Sequence, residues 1–151
     1  MNQAASTIKR ILLAEDDEDD FILFRDTINE YKGTLFLNWV KDGEELMKAL
    51  KAKGGGIPDI LFLDINMPRK NGFECLTEIR KDKKLAHLPV VIFSTSNDKS
   101  LVNWMYNAGA NLYLSKPTDF QKLKQAIQTA ISIDWTAHSP YPPIEDFVLH
   151  Q

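Results

Sequence analysis

The chain has a single cysteine, no long apolar run and no surplus of positive charge, and each shortage removes a class of protein. Lysine and arginine (18) are slightly outnumbered by aspartate and glutamate (21), leaving a formal charge of -3. Without a basic footprint, direct binding to DNA or RNA is not expected. No apolar stretch approaches the roughly 20 residues of a membrane-spanning helix, and Met1 to Arg10 lacks the apolar core of a secretory signal. Cys75 alone cannot close an internal disulfide, which suits a reducing, cytoplasmic setting. It reads as a small buried residue on a helix. The three histidines, His87, His138 and His150, have no metal-ligand spacing. Gly54-Gly55-Gly56 lacks the Gly-Lys-Ser/Thr of a phosphate loop and reads as a connector.

What the 151 residues do contain is alternation. Short apolar runs at Ile11–Ala14, Leu35–Val40, Ile60–Leu63, Val90–Phe93 and Leu112–Leu114 are separated by amphipathic stretches starting near Asp17, Glu44, Gly72, Lys99 and Thr118. The runs are continuously apolar, as expected of strands buried on both faces. Five strands interleaved with five helices predict a single α/β domain: a doubly wound, five-stranded parallel sheet of order 2-1-3-4-5. The domain is expected over residues 1–133. Residues 134–151, with Pro140, Pro142 and Pro143 among Trp135, Tyr141 and Phe147, show no helical or strand period. They read as a tail, expected to pack on the domain rather than to form a second one.

In open α/β sheets, ligands bind beyond the carboxyl ends of the strands, where strand order reverses. The first strand runs into Glu15 and Asp16, the third into Asp64, the fourth into Ser94 and the fifth into Lys116. With the first and third strands adjacent, three carboxylates converge and repel unless a cation intervenes. Oxygen donors without histidine or cysteine favour Mg²⁺. Lys116 supplies a second positive charge, and Asp64 becomes a candidate nucleophile that forms an acyl phosphate.

These segments resemble the receiver domain of two-component response regulators over about residues 8–133. The resemblance is carried by Leu-Leu-Ala-Glu-Asp-Asp at 12–17, Phe-Leu-Asp-Ile-Asn-Met-Pro at 62–68 with Gly72, Ile-Phe-Ser-Thr-Ser at 92–96, and Gly-Ala-Asn-Leu-Tyr-Leu-Ser-Lys-Pro at 109–117. It implies Asp64 as phosphoacceptor, with Glu15, Asp16, Asp64 and Asn66 (through its carbonyl) around Mg²⁺. It further implies Ser94, Thr95, Lys116 and Tyr113 in phosphate binding and switching, and a structural Pro117 whose bond to Lys116 is expected to be cis. The implied function is signalling rather than enzymatic turnover: a sensor histidine kinase donates the phosphoryl group. The face made by the fourth helix, fifth strand and fifth helix then changes shape and meets a downstream protein, with a homodimer as a further option. Narrower features, the Glu-Asp-Asp start, the Asp42-Gly43 turn and the aromatic tail, are similar to stand-alone receivers paired with phytochrome-like or other sensor kinases.

Two related chemistries are disfavoured by single positions. Haloacid dehalogenase-type phosphatases need an aspartate two residues after the nucleophile, where this chain has Asn66. A flavin phosphate would be repelled by Glu15 to Asp20. A receiver serving only as an adaptor would not need the acidic pair, Asp64 and Lys116 together. On the fourth helix only one of two apolar stripes can face the sheet, and the resemblance implies that it is Val102, Met105, Tyr106 and Gly109. That leaves Leu101 and Trp104 near the surface as a candidate interface.

Overall fold

The computed structural model describes residues 9–135 and 142–149. The elements are β1 (Lys9–Ala14), α1 (Glu18–Glu30), β2 (Leu35–Val40), α2 (Gly43–Lys51), β3 (Ile60–Leu63), α3 (Gly72–Lys81), β4 (Val90–Ser94), α4 (Lys99–Asn107), β5 (Leu112–Ser115), α5 (Phe120–Ser132) and β6 (Val148–Leu149). Pairing is parallel throughout, and the sheet order is β2-β1-β3-β4-β5-β6.

The buried strand residues divide by parity, because successive side chains point to opposite faces. Leu12, Ala14, Leu61, Leu63, Val90 and Ile92 pack with α2, α3 and α4 through Leu46, Leu76, Ile79 and Met105. Ile11, Leu13, Ile60, Phe62, Val91 and Phe93 pack with α1 and α5 through Phe24, Ile28, Leu123 and Ile127. Phe24, Phe62 and Phe93 meet edge to face, with centroids 4.8 to 6.3 Å apart. Each helix starts at a residue that can cap it. Asp17, Asp42, Asp98 and Asp119 accept backbone N–H bonds, and Asn71 with Glu74 completes a capping box on α3. Such caps satisfy donors that a helix leaves open at its start.

Two differences from the expected frame lie in the tail and the second helix. Among the described residues the sheet has six strands rather than five. Residues 142–149 turn through a short 3₁₀ segment (Ile144–Asp146) and lay β6 along β5. A two-residue strand carries no period, so nothing in local sequence announces it. What holds it is Phe147, which is fully buried (0% exposed) between Tyr106 and Tyr113, at 5.1 and 6.1 Å between centroids. The Tyr113 N–H donates to the Phe147 carbonyl at 2.9 Å, and the Tyr106 hydroxyl donates to the Pro142 carbonyl at 2.7 Å. Pro140, Tyr141, His138 and His150 lie outside the described residues. In α2, the helix starts at Gly43, one residue before the expected Glu44, and ends at Lys51, with extended backbone at Ala52 ahead of the glycine turn.

Burying one phenylalanine contributes about 1.5–3 kcal/mol. Phe147→Ala should therefore release the tail while the domain stays folded. Amide hydrogen exchange at Tyr113 should accelerate roughly ten- to hundredfold, at about 1.4 kcal/mol per factor of ten.

Candidate functional site

Parallel register brings the acidic residues to one level. Ala14 pairs with Leu63, so the next residues, Glu15 and Asp64, leave adjacent strands side by side. The Asp64 N–H donates to the Ala14 carbonyl at 3.0 Å, and the Glu15 N–H donates to the Val40 carbonyl at 3.1 Å. Glu15, Asp16 and Asp64 each offer one carboxylate oxygen, all within 4.8 Å of one another. Glu15 (1% exposed) and Asp64 (7%) are buried, whereas Asp16 is open to solvent.

Lys116 reaches this cluster from the end of β5, where its N–H is held by the Ser94 carbonyl at 2.7 Å. Its ammonium pairs with Glu15 at 2.7 Å and with Asp20 at 2.8 Å, and lies 4.5 Å from the centre of the Phe93 ring. Asp20 is the partner that sequence reading missed. It was legible only as an acidic residue in the first turn of α1, and the rotation of that helix brings it to Lys116. The Lys116–Pro117 bond is trans, not cis as the resemblance implied. Trans is intrinsically preferred by about 0.5–1 kcal/mol before a proline.

The charge balance of the site is strained. Burial, then the neighbouring Glu15 carboxylate, push the Asp64 carboxyl up to about 8. Burial also raises Glu15, against the pull of Lys116. Lys116 is raised in turn because the carboxylates around it, Glu15 first, outweigh its own burial. Two buried carboxylates facing an exposed third hold more negative charge than one ammonium neutralises. A proton or a hard cation is needed to complete the site. Glu15, Asp16 and Asp64 fit such a cation: their donors are oxygens, and they cluster without histidine or cysteine.

The remaining expected residues are placed unequally. Ser94 is buried, and its hydroxyl accepts from the Ser96 N–H at 3.1 Å. The Ser96 carbonyl accepts from the Tyr113 hydroxyl at 2.6 Å, which links the serine to the aromatic ring. Tyr113 is fully buried and already points inward. Thr95 is exposed and has no hydrogen-bond partner among the described residues. The Asn66 N–H approaches Asp64 Oδ1 at 3.4 Å. Leu101 is half-buried. Trp104 is 54% exposed, with its ring 4.4 Å from that of Phe73.

Gly72 sets how closely α3 approaches the site. A Cβ there would sit 2.4 Å from the Asp64 carbonyl oxygen and 2.8 Å from Ile65 Cα, both main-chain atoms that cannot rotate away. Gly72→Ala should destabilise the chain by about 3 kcal/mol through overpacking. Urea unfolding would measure it. The same shift should weaken divalent-cation affinity, since Asp64 moves with its own backbone.

Known proteins resemble this chain in sequence and in fold. The model of the response regulator receiver domain matches residues 11–128. The C4-dicarboxylate response regulator DctR (described as probable) of Bacillus subtilis is 34% identical over 79% of the chain, which spans half of that relative's length. Response regulator Rcp1 of Synechocystis is 30% identical over 85% of this chain and 90% of its own. Among solved structures, the Mn²⁺-bound form of Rcp1 superposes with a TM-score of 0.77 at 30% identity, covering 89% of this chain and 99% of that one. The phosphorylated cyanobacterial phytochrome response regulator RcpA gives 0.77 at 30% identity, over 82% and 91%. Among the described residues no helix is long and apolar enough to cross a membrane. A match of this extent, on a sheet with this strand order and with the acidic cluster at its switch point, shows that the chain belongs to the response regulator receiver domain family.

Proposed function

We propose that Asp64 accepts a phosphoryl group from the phosphohistidine of a sensor histidine kinase, and that the modification is a signal. The observation that carries this reading is the buried Asp64 carboxyl, adjacent to Glu15 and Asp16, with Lys116 neutralising part of the cluster. In the transfer, Asp64 Oδ bonds to phosphorus as the phosphorus–nitrogen bond breaks, and the electron pair leaves with the imidazole. A bound Mg²⁺, held by Glu15, Asp16 and Asp64 with the Asn66 carbonyl, would offset negative charge on the transferring group. Lys116 contributes a fixed positive charge at the same place. A sensor kinase of phytochrome type is favoured as donor by the likeness to Rcp1 and to the phytochrome response regulator RcpA.

The buried hydrogen bonds suggest how the state is read. The Ser94 hydroxyl can donate to a phosphoryl oxygen while its oxygen accepts from the Ser96 N–H, and drawing that oxygen toward the phosphoryl group would disturb the bond. Ser96 is tied to Tyr113 through its carbonyl, so the disturbance passes to β5. Because Tyr113 is already inward, the response is a tightening or loosening around it rather than a large swing of the ring. The output face then includes α4 with Leu101 and Trp104, and the tail strand that covers the outer edge of β5.

The test is incubation of the chain with a small phosphodonor and Mg²⁺, followed by intact mass. The wild-type chain should gain one phosphoryl group, and Asp64→Asn should gain none. Phosphorylation persisting in Asp64→Asn would refute the assignment.

A further inference from the structure

Asp16 poses a question that its own contacts do not answer. It is the exposed member of the acidic cluster and has no hydrogen bond or ion pair among the described residues. Its carboxylate is free for a ligand, yet nothing attached to the side chain holds it in place. Its position is inherited from the peptide that joins it to Glu15.

That peptide is gripped from β2. The Trp39 indole N–H donates to the Glu15 carbonyl at 2.8 Å. One residue on, the Val40 carbonyl accepts the Glu15 N–H at 3.1 Å. The indole is itself clamped. The Phe21 ring stacks on it at 3.9 Å between centroids and 5° between planes, and the Lys41 ammonium lies 5.0 Å from its ring centre. Arg25 lies near the Phe21 ring at 5.8 Å. A stacked, cation-flanked indole is a rigid donor. Its hydrogen bond fixes the Glu15–Asp16 peptide plane, and with it the direction in which Asp16 leaves the chain.

We infer that Trp39 is a positioning residue for the divalent-cation site, acting through the Glu15 carbonyl, with Phe21 as the support that fixes the indole. The inference rests on the reading of Glu15, Asp16 and Asp64 as cation ligands. The partners that orient metal ligands typically account for 10- to 100-fold in metal affinity. Trp39 stands in that relation to the main chain between two ligands. The same contact gives the site an optical reporter, because a cation drawing on Glu15 and Asp16 alters the environment of the hydrogen-bonded indole.

The experiment titrates Mg²⁺ into the full chain by calorimetry and by tryptophan emission, with thermal melts of each variant. Trp39→Phe keeps an aromatic ring for the stack but removes the donor. It should weaken Mg²⁺ binding about tenfold and abolish the Mg²⁺-dependent change in emission. Trp104→Phe, against Phe73 on α3, should leave both intact. Phe21→Ala keeps the donor but unclamps it and should weaken binding severalfold, so it carries the test if Trp39→Phe folds poorly. A lowered melting temperature with unchanged Mg²⁺ affinity in both Trp39→Phe and Phe21→Ala would overturn the inference and reduce the contact to a structural one. Absence of Mg²⁺ binding by the wild-type chain would instead refute the site itself and the positioning role with it. The two failures are therefore distinguishable.

Discussion

Lys116→Met should destabilise the chain by about 3–5 kcal/mol at neutral pH, the usual cost of leaving a buried charge without its partner. The methionine keeps most of the apolar stem beside Phe93 but removes the ammonium that pairs with both Glu15 and Asp20. Glu15 is the group left stranded, since its side chain is 1% exposed whereas that of Asp20 is 23% exposed. The loss should shrink on acidification, because protonating Glu15 removes the uncompensated charge. Urea unfolding of both chains at neutral pH and near pH 5 would show this convergence. An equal gap at both values would mean that packing, not charge, is the contribution of Lys116. Phosphorylation by a small donor should fall by about 10²- to 10³-fold, the scale of removing one preorganised donor from a site of developing charge.

The second large effect is a pH dependence that the metal-free chain should show in the opposite sense from an ordinary salt-bridged aspartate. The folded Asp64 carboxyl sits near 8, well above its ordinary value of 3.8, through burial and the Glu15 carboxylate. Between those values the folded chain holds a proton that the unfolded chain has released. Stability therefore falls as pH rises from about 4 to about 8, by at most about 1.4 kcal/mol per pH unit for one proton. Above 8 both states are ionised and the slope disappears. Asp64→Asn keeps the shape, removes the titration and should be the more stable chain at pH 8 without metal. Saturating Mg²⁺ should restore the wild-type chain at pH 8 by binding where the proton left, about 2.7 kcal/mol at a hundredfold excess over the dissociation constant. Asp64→Asn should gain far less. If wild-type stability rises across this window without metal, Asp64 is not held in its protonated form by the fold.

The two effects meet in one arrangement. The cluster is stable in the resting chain because it shares a proton and one ammonium, and both can be displaced or supplemented. On the proposed reading, a cation would replace the proton. A phosphoryl group would then add negative charge at Asp64 itself, next to the cluster that Lys116 partly neutralises. A receiver of this kind is tuned less by the strength of any one pair than by the imbalance among them.

Sequence alone determined the frame and which candidate groups would meet at its switch point. Five continuous apolar runs followed by helix starts specify a parallel sheet, since only strands covered on both faces can be apolar throughout. The reversal of strand order then places whatever follows the first and third strands together, which is why Glu15, Asp16 and Asp64 group from sequence alone.

Tertiary structure decided the angles and the distant contacts. Whether Asp20 reaches Lys116, and whether Trp39 reaches the Glu15 carbonyl, depends on how α1 is rotated and on the register that sets Trp39 beside Leu13. A fraction of a helical turn would separate them, and no local pattern encodes it. Thr95 and Ser94 are neighbours in the chain, yet one faces solvent and the other the core, because β4 ends at Ser94 and Thr95 lies in the bend beyond it, outside the helix layers that cover the sheet. The sixth strand is the clearest case. Val148 and Leu149 have no period to read, and they pair with β5 because Phe147 finds a space between Tyr106 and Tyr113 that exists only after the rest has folded. Periodicity is a local property and was available from the start; burial between residues far apart in sequence is a property of the finished core.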